Sequence, residues 1–271
     1  MELALAVGPL RDALTAVLGF FTGMMSALFG IGGATVSTPG IRALGVSAAL
    51  AVGTTLPSII PGAASGTFRY IKQQIIDWRV VAQAGTIGAV FSIAGAIATK
   101  HMPGRGHIQQ IATAALLAFS SFKMWRGLPE PTTAHGPDSL ANAGRQSTKD
   151  ARTIIAAVGA GAGFLSGFLG IGGGVFMVPA FTQYAGLKIK PSIATSLACV
   201  GLFSVPGTIT HAIEGGIDWR VAAWLTATVV PGALLGAWLS VRATDRRMQL
   251  SAAVFLSAIA VVFGVGEIIA L

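Results

Sequence analysis

Two stretches of this 271-residue chain repeat one pattern, GIGGATVSTP at residues 30–39 and GIGGGVFMVP at residues 170–179. Each places a glycine cluster and a proline inside a long run that has no Asp, Glu, Lys or Arg. These runs cover residues 13–41 and 153–187. As straight helices they would be about 44 and 52 Å long, whereas the hydrocarbon core of a membrane is about 30 Å thick. We therefore predict that the glycines break both helices, and that each chain segment turns back as a pair of half-helices.

The composition places the chain among membrane proteins. Hydrophobic residues make up 53% of the chain, charged residues make up 10%, and the mean hydropathy is +0.73. A soluble domain has about 25% charged residues. Six of the uncharged runs have about the length of a membrane helix, which predicts an all-α, polytopic helix bundle in a cell membrane. The eight runs are 13–41, 43–68, 80–99, 106–122, 153–187, 191–213, 221–241 and 248–266.

The charge and the cysteine content exclude several kinds of site. The net charge is +8, but Lys and Arg stand singly or in pairs at the ends of apolar runs. This is typical of topology signals, so we expect a lipid bilayer and no nucleic acid as partner. A single cysteine, Cys199, excludes an internal disulfide and a multi-cysteine metal site. No cofactor, no metal and no catalytic residue is predicted, so we expect no enzymatic activity.

The two halves of the chain repeat each other well beyond the glycines. We therefore predict a first membrane repeat over residues 1–122, a polar cytoplasmic linker over 123–152 and a second membrane repeat over 153–271, with four apolar segments in each repeat. Duplicated halves are typical of secondary transporters. The matching residues are Ser26 with Ser166, Gly30–Gly33 with Gly170–Gly173, Pro39 with Pro179, Thr54–Leu56 with Thr195–Leu197, Gly66 and Thr67 with Gly207 and Thr208, and Asp77–Val80 with Asp218–Val221.

The distribution of the 18 Lys and Arg residues favours a first segment that enters the membrane and returns. If all eight runs crossed, ten of these residues would lie on one side and eight on the other. If the first run of each half returns, thirteen lie on one side and five on the other, which is a clear positive-inside bias. Three crossings then remain in each half, so the halves are inverted, the termini lie outside and the linker is cytoplasmic. Eight simple crossings, with steeply tilted first segments, stay the alternative.

These motifs resemble those of the TauE/SafE family of sulfite and organosulfonate exporters. The resemblance rests on the doubled G-I-G-G-[AG] with its following proline, the downstream T-[TS]-L at 54–56 and 195–197, and I-D-W-R at 76–79 and 217–220. It covers both halves of the chain and leaves out the linker. It implies a permease for small sulfur-containing anions such as sulfite or sulfonates, and it does not identify which anion.

The glycine clusters also predict an anion site from their own chemistry. A helix that starts after a break offers free N–H groups and the positive end of its dipole. Such helix N-termini bind anions, and glycine lets an oxyanion approach the backbone closely. Because Ala34 stands where the second copy has Gly174, we expect the second break to be the more open one. The predicted substrate-binding residues are Gly30, Gly32, Gly33, Ala34, Gly170, Gly172, Gly173 and Gly174, with hydroxyl groups from Thr54, Thr55, Thr195 and Ser196.

Several interpretations stay open at this stage. The leading one is alternating access around a midplane site, and the others are a passive anion channel and a membrane assembly or sensor protein without flux. Protons as the coupling ion, with His211 as a relay, and a homodimer are further open expectations. Gly19 and Gly23, like Gly159 and Gly163, have the small-xxx-small spacing of helix packing.

Overall fold

The computed structural model describes residues 8–100, 107–126 and 148–270, and all regular structure in these ranges is α-helical. The described helices are α1 (Pro9–Phe29), α2 (Ala34–Ala43), α3 (Ala48–Lys72), α4 (Trp78–Lys100), α5 (His107–Arg126), α6 (Thr148–Leu169), α7 (Gly174–Tyr184), α8 (Ile189–Ile213), α9 (Trp219–Arg242) and α10 (Asp245–Ala270).

Six of the described helices are long and apolar enough to cross a membrane: α1, α4, α6, α8, α9 and α10. Many of their large apolar side chains, such as Phe21, Val90 and Val261, are exposed on the outside of the bundle. A soluble protein would bury such residues, whereas lipid accepts them. The prediction of a polytopic all-α membrane protein is confirmed.

Both predicted helix breaks are present. The first break, residues 30–33, separates α1 from α2, and the second break, residues 170–173, separates α6 from α7. The prediction of paired half-helices is wrong in one respect, because the two members are unequal. Helix α1 has 21 residues and α2 has 10, so they are about 32 and 15 Å long. The first member can span the bilayer core and only the second is a half-helix.

The first two helices, α1 and α2, leave one end of the bundle and return to the same end. The guanidinium of Arg220 donates two hydrogen bonds to the carboxylate of Asp12, which places the start of α1 beside the start of α9. Val46, in the turn before α3, packs with Val221 of α9. The N–H of Asp218 donates to Thr54 of α3 over 2.9 Å. The starts of α1, α3 and α9 therefore share one end, here named the Asp218 end.

Helices α6 and α7 likewise leave and return to one end of the bundle, and that end is the opposite one. The side chain of Gln83 on α4 donates to the carbonyl of Arg152, near the start of α6. The N–H of Asp77, just before α4, donates to Thr195 of α8 over 3.1 Å. The starts of α4, α6 and α8 therefore share the other end, here named the Asp77 end. Helices α1 and α6 run in opposite directions, an arrangement that fits the predicted inverted repeat.

Glycines bring the first helix of each half into backbone contact with a helix of the other half. A Cβ on Gly19 or Gly23 would meet backbone atoms of Leu225 or Val229 on α9. On α6, a Cβ on Gly159 or Gly163 would meet backbone atoms of α4. The small-xxx-small pairs therefore lie at packing interfaces, as their spacing indicates. These contacts join α1 and α6 each to a helix of the other half.

The predicted linker lies mostly outside the described residues. Its first four residues, 123–126, belong to α5, and its last five, 148–152, belong to α6. The domain boundaries and the cytoplasmic position of the linker stay predictions.

Candidate functional site

The two glycine breaks meet inside the bundle. A Cβ on Gly172 would lie 3.3 Å from the Cα of Gly32 and 3.1 Å from Cγ1 of Val200. A Cβ on Gly32 would lie 3.0 Å from the same Val200 atom. Val200 stands near the middle of the 25-residue helix α8. The breaks are therefore in contact about halfway between the two ends of the bundle.

Two features favour glycine at the point of contact. Gly32 and Gly172 have φ angles of +78° and +83°, in the left-handed region that other L-residues adopt only with strain. Neither position leaves ordinary van der Waals room for a side chain, because the backbone of the opposite break stands there. The sequence therefore places glycine where two backbones must touch.

Backbone N–H groups at both breaks are buried and have no acceptor. Residues 30–35 and 170–175 are all buried from solvent. The first N–H groups of a helix have no acceptor within the helix, so at the starts of α2 and α7 these donors are available to a ligand. Within the part of the chain that the structure describes, no hydrogen bond is donated by the N–H groups of residues 31–35 and 171–175, which include the six predicted donors Gly32, Gly33, Ala34, Gly172, Gly173 and Gly174.

The four hydroxyl residues predicted for the site have two different positions. Thr54 and Thr195 accept the N–H groups of Asp218 and Asp77, so they lie near opposite ends of the bundle. Ser196 donates to the carbonyl of Gly30 over 2.7 Å and thus contacts the first break. Thr55 donates to the carbonyl of Val52 within its own helix over 3.0 Å. Of the four, only Ser196 is hydrogen-bonded to a break in this structure.

Among the residues that the structure describes, side-chain hydroxyls bind the carbonyls of the first break and not those of the second. Thr35 donates to the carbonyl of Gly32 and Ser37 donates to that of Gly33, in addition to the bond from Ser196. Val175 and Met177 stand at the matching positions of the second copy and have no hydroxyl. Sequence reasoning missed Thr35 and Ser37, although the difference between ATVS and GVFM was visible. The first break is therefore the more tightly bonded of the two.

The expectation that Gly174 leaves the second break more open is wrong. A Cβ on Gly174 would meet the carbonyl oxygen of Gly30 and would lie 2.7 Å from the carbonyl carbon of Ile31. The space that the missing side chain leaves is filled by the backbone of the first break. Gly174 therefore serves the contact between the breaks and does not enlarge a cavity.

A cavity of about 270 Å³ lies elsewhere, between α3, α4 and α8. Its lining is mostly apolar, which does not suit an anion, and the residues of the two breaks do not line it. The lining residues are Ile60, Ala63, Ala64, Thr67, Trp78, Val81, Ala198, Gly201 and Leu202.

His211 is buried near the Asp218 end, in the last turn of α8. It stands eleven residues beyond Val200, which corresponds to about 16 Å along the helix axis. A proton relay through His211 would therefore act at one end of the bundle and not at the breaks. Its part in proton coupling stays a prediction.

Comparison with known proteins covers almost all of the described chain. Residues 15–263 match the family described as sulfite exporter TauE/SafE. The chain is 28% identical to the probable membrane transporter protein YunE of Bacillus subtilis, with 91% of this chain and 93% of that protein covered. It is 26% identical to the probable membrane transporter protein MJ0441 of Methanocaldococcus jannaschii, with 73% and 71% covered. No solved structure matches the chain.

Proposed function

Since the chain belongs to the sulfite exporter TauE/SafE family, a family of membrane transporters, we propose that it carries small sulfur-containing oxyanions across the cell membrane. The proposed site is the contact between the two glycine breaks. The observation that carries the proposal is the cluster of buried N–H groups without acceptors at that contact, which includes the six predicted donors. Sulfite and organosulfonates carry a negative charge and several acceptor oxygens, and these oxygens can accept hydrogen bonds from N–H groups that have no other acceptor.

The interior of the described bundle contains no charged side chain, which supports anion binding that is weak enough for release. Among the described residues, no Lys, Arg, Asp or Glu is buried. The positive potential at the site therefore comes from the N-termini of α2 and α7, which carry partial charges only. A transporter must release its ligand on the far side, so partial charges suit it better than a buried lysine or arginine would.

Alternating access between two inverted halves is the proposed mechanism. The pairs α1–α2 and α6–α7 each return to the end from which they start, these two ends are opposite, and α1 and α6 run in opposite directions; these features support it. The contact between Gly32 and Gly172 leaves no room for an oxyanion, so the breaks have to separate before a ligand enters. A passive channel would use the same donors. Saturable flux that is accelerated by substrate on the opposite side would favour the carrier.

We infer that the Asp77 end faces the cytoplasm, because most cationic residues lie there. Single cysteines in a Cys199→Ser background test this with an impermeant thiol reagent on intact cells. Leu10→Cys and Ala43→Cys should react from outside, and Lys188→Cys should react only after the cells are opened. Labelling of Leu10→Cys and Ala43→Cys from different sides would contradict the return path. Four described cationic residues lie at the Asp218 end: Arg11, Arg42, Lys100 and Arg220. Twelve lie at the Asp77 end: Arg69, Lys72, Arg79, Lys123, Arg126, Lys149, Arg152, Lys188, Lys190, Arg242, Arg246 and Arg247.

A ligand screen on the purified protein tests the substrate class. Sulfite and sulfoacetate are expected to raise the melting temperature in a saturable way, because only the folded protein presents the six donors. Acetate, which has one fewer acceptor oxygen than a sulfonate, should stabilise less. Sodium and ammonium salts of one anion should behave alike, because the site attracts anions. Stabilisation that follows the cation and ignores the anion would contradict the proposal.

A further inference from the structure

The two sequence motifs outside the glycine clusters bind to each other across the halves. Thr54, from the first T-T-L, accepts the N–H of Asp218, from the second I-D-W-R, over 2.9 Å. Thr195, from the second copy of T-[TS]-L, accepts the N–H of Asp77 over 3.1 Å. Each contact joins one half to the other. We name them the Asp218 junction and the Asp77 junction.

Each junction also organises the start of a membrane helix. The carboxylate of Asp218 accepts the N–H groups of Arg220 and Val221 over 3.1 and 3.2 Å and so caps α9. The carboxylate of Asp77 does the same at the start of α4, over 3.0 and 3.3 Å. The threonine therefore binds the residue that caps a helix of the opposite half.

The junctions lie at opposite ends, and each lies close to one glycine break. Val52, two residues before Thr54, would contact a Cβ placed on Gly170. Ile193, two residues before Thr195, would contact a Cβ placed on Gly30. An opening at either junction would therefore lead from that end of the bundle towards the breaks.

The two junctions differ in charge. At the Asp218 end, Arg220 holds Asp12 in a bidentate pair with contacts of 3.2 and 2.7 Å, and Arg11 approaches Asp218 to 3.8 Å. In the second copy, Ala151 and Arg152 stand where the first has Arg11 and Asp12. Among the described residues, neither Asp77 nor Arg79 forms an ion pair, and the ion pair at this end, Lys190 with Asp245 at 3.8 Å, joins α8 to α10.

We propose that the two junctions are the gates of the transport cycle, and that the ion pairs make the Asp218 gate the harder one to open. The inference rests on the proposed function. Without substrate, the protein opens at the Asp77 end more often than at the Asp218 end. Thr54, Thr195, Asp12 and Arg220 are then positioning residues, because they act on the breaks through the helices they join.

Cysteine reactivity of the purified protein tests the gates without any substrate. In a Cys199→Ser background, Val52→Cys reports opening at the Asp218 end and Ile193→Cys reports opening at the Asp77 end. Both native side chains are buried. Ile193→Cys should react faster. Adding Asp12→Asn should speed the reaction of Val52→Cys roughly two- to fivefold, the range expected for a partly exposed ion pair.

The response of the other reporter separates gating from loosening of the fold. If the two gates alternate, Asp12→Asn leaves the reaction of Ile193→Cys unchanged or slows it. Acceleration at both reporters, or at neither, would overturn the proposal. High salt should act like Asp12→Asn, because it screens exposed pairs. If Val52→Cys or Ile193→Cys does not fold, the smaller changes Ala51→Cys and Ser192→Cys replace them.

Replacing the threonines gives an independent check. Thr54→Val removes the acceptor for Asp218 and should speed the reaction at the Asp218 end only, and Thr54→Ser should restore the slow reaction. Thr195→Val should act at the Asp77 end only. If Thr54→Val accelerated both reporters equally, the junction would be a fold contact and no gate. The reporters do not depend on flux, so gates that respond as described in a protein that carries no sulfur oxyanion would refute the proposed function alone.

Discussion

The variant Gly172→Ala is expected to lose at least about nine-tenths of the sulfite or sulfonate flux and all ligand-induced stabilisation, although it still folds. Its methyl group would stand 3.3 Å from the Cα of Gly32 and 3.1 Å from Val200, between the two breaks. These distances are tight but need only small shifts, so folding tolerates them. An oxyanion needs the same space. Losing one charge-assisted hydrogen bond, worth about 1.5–3 kcal/mol, is enough for a tenfold or greater loss of affinity.

Gly186→Ala is the matched control for this variant. Gly186 has a φ of +67°, also left-handed, but nothing lies within 4 Å of a Cβ placed there. Both variants therefore carry the backbone strain of about 1–2 kcal/mol, and only Gly172→Ala fills the site. We expect similar melting temperatures without ligand, and normal flux in Gly186→Ala only. If Gly172→Ala bound sulfite or sulfoacetate with unchanged affinity, the breaks would be packing contacts and the helix-terminus site would be wrong.

Gly163→Ala is expected to have the largest effect on stability. A Cβ on Gly163 would overlap the carbonyl oxygen, carbonyl carbon and Cα of Gly88 on α4. Backbone atoms cannot rotate away, so α6 and α4 must move apart along their shared interface. Overpacking of this kind costs about 3 kcal/mol or more, which corresponds to a fall in melting temperature of about 10 °C for a chain of this size. The measurement is a thermal melt in detergent, together with the yield of monodisperse protein.

Gly161→Ala, on the same helix, controls for the change of residue type. A Cβ at Gly161 would meet only a ring carbon of Phe176, at 3.6 Å, which is an ordinary contact. Alanine also favours a helix over glycine by about 1 kcal/mol, so this variant should melt at the same temperature or higher. Equal stability of the two variants would show that α6 and α4 do not pack as closely as the structure has them.

Patterns that depend on local residues could be predicted correctly. The composition indicates a helical membrane protein because lipid selects for long apolar segments. Adjacent glycines favour a break in a helix, so the breaks at residues 30–33 and 170–173 could be predicted from residue type. The lengths of the helices on either side of a break could not be predicted, because they depend on which neighbours satisfy the helix ends. As a result, two half-helices were predicted on either side of the first break, whereas α1 has 21 residues and only α2, with 10, is a half-helix.

The sequence by itself determined the membrane environment, the glycine breaks and the family, because each of these depends on residue type and order. Only the tertiary structure decided that Gly32 and Gly172 touch, that Gly174 accommodates the first break, and that Thr54 and Thr195 bind the helix caps of the opposite halves. Contacts between residues more than a hundred positions apart depend on how helices pack. The same residue types can pack in many ways, and the distances that select one of them exist only in the assembled bundle.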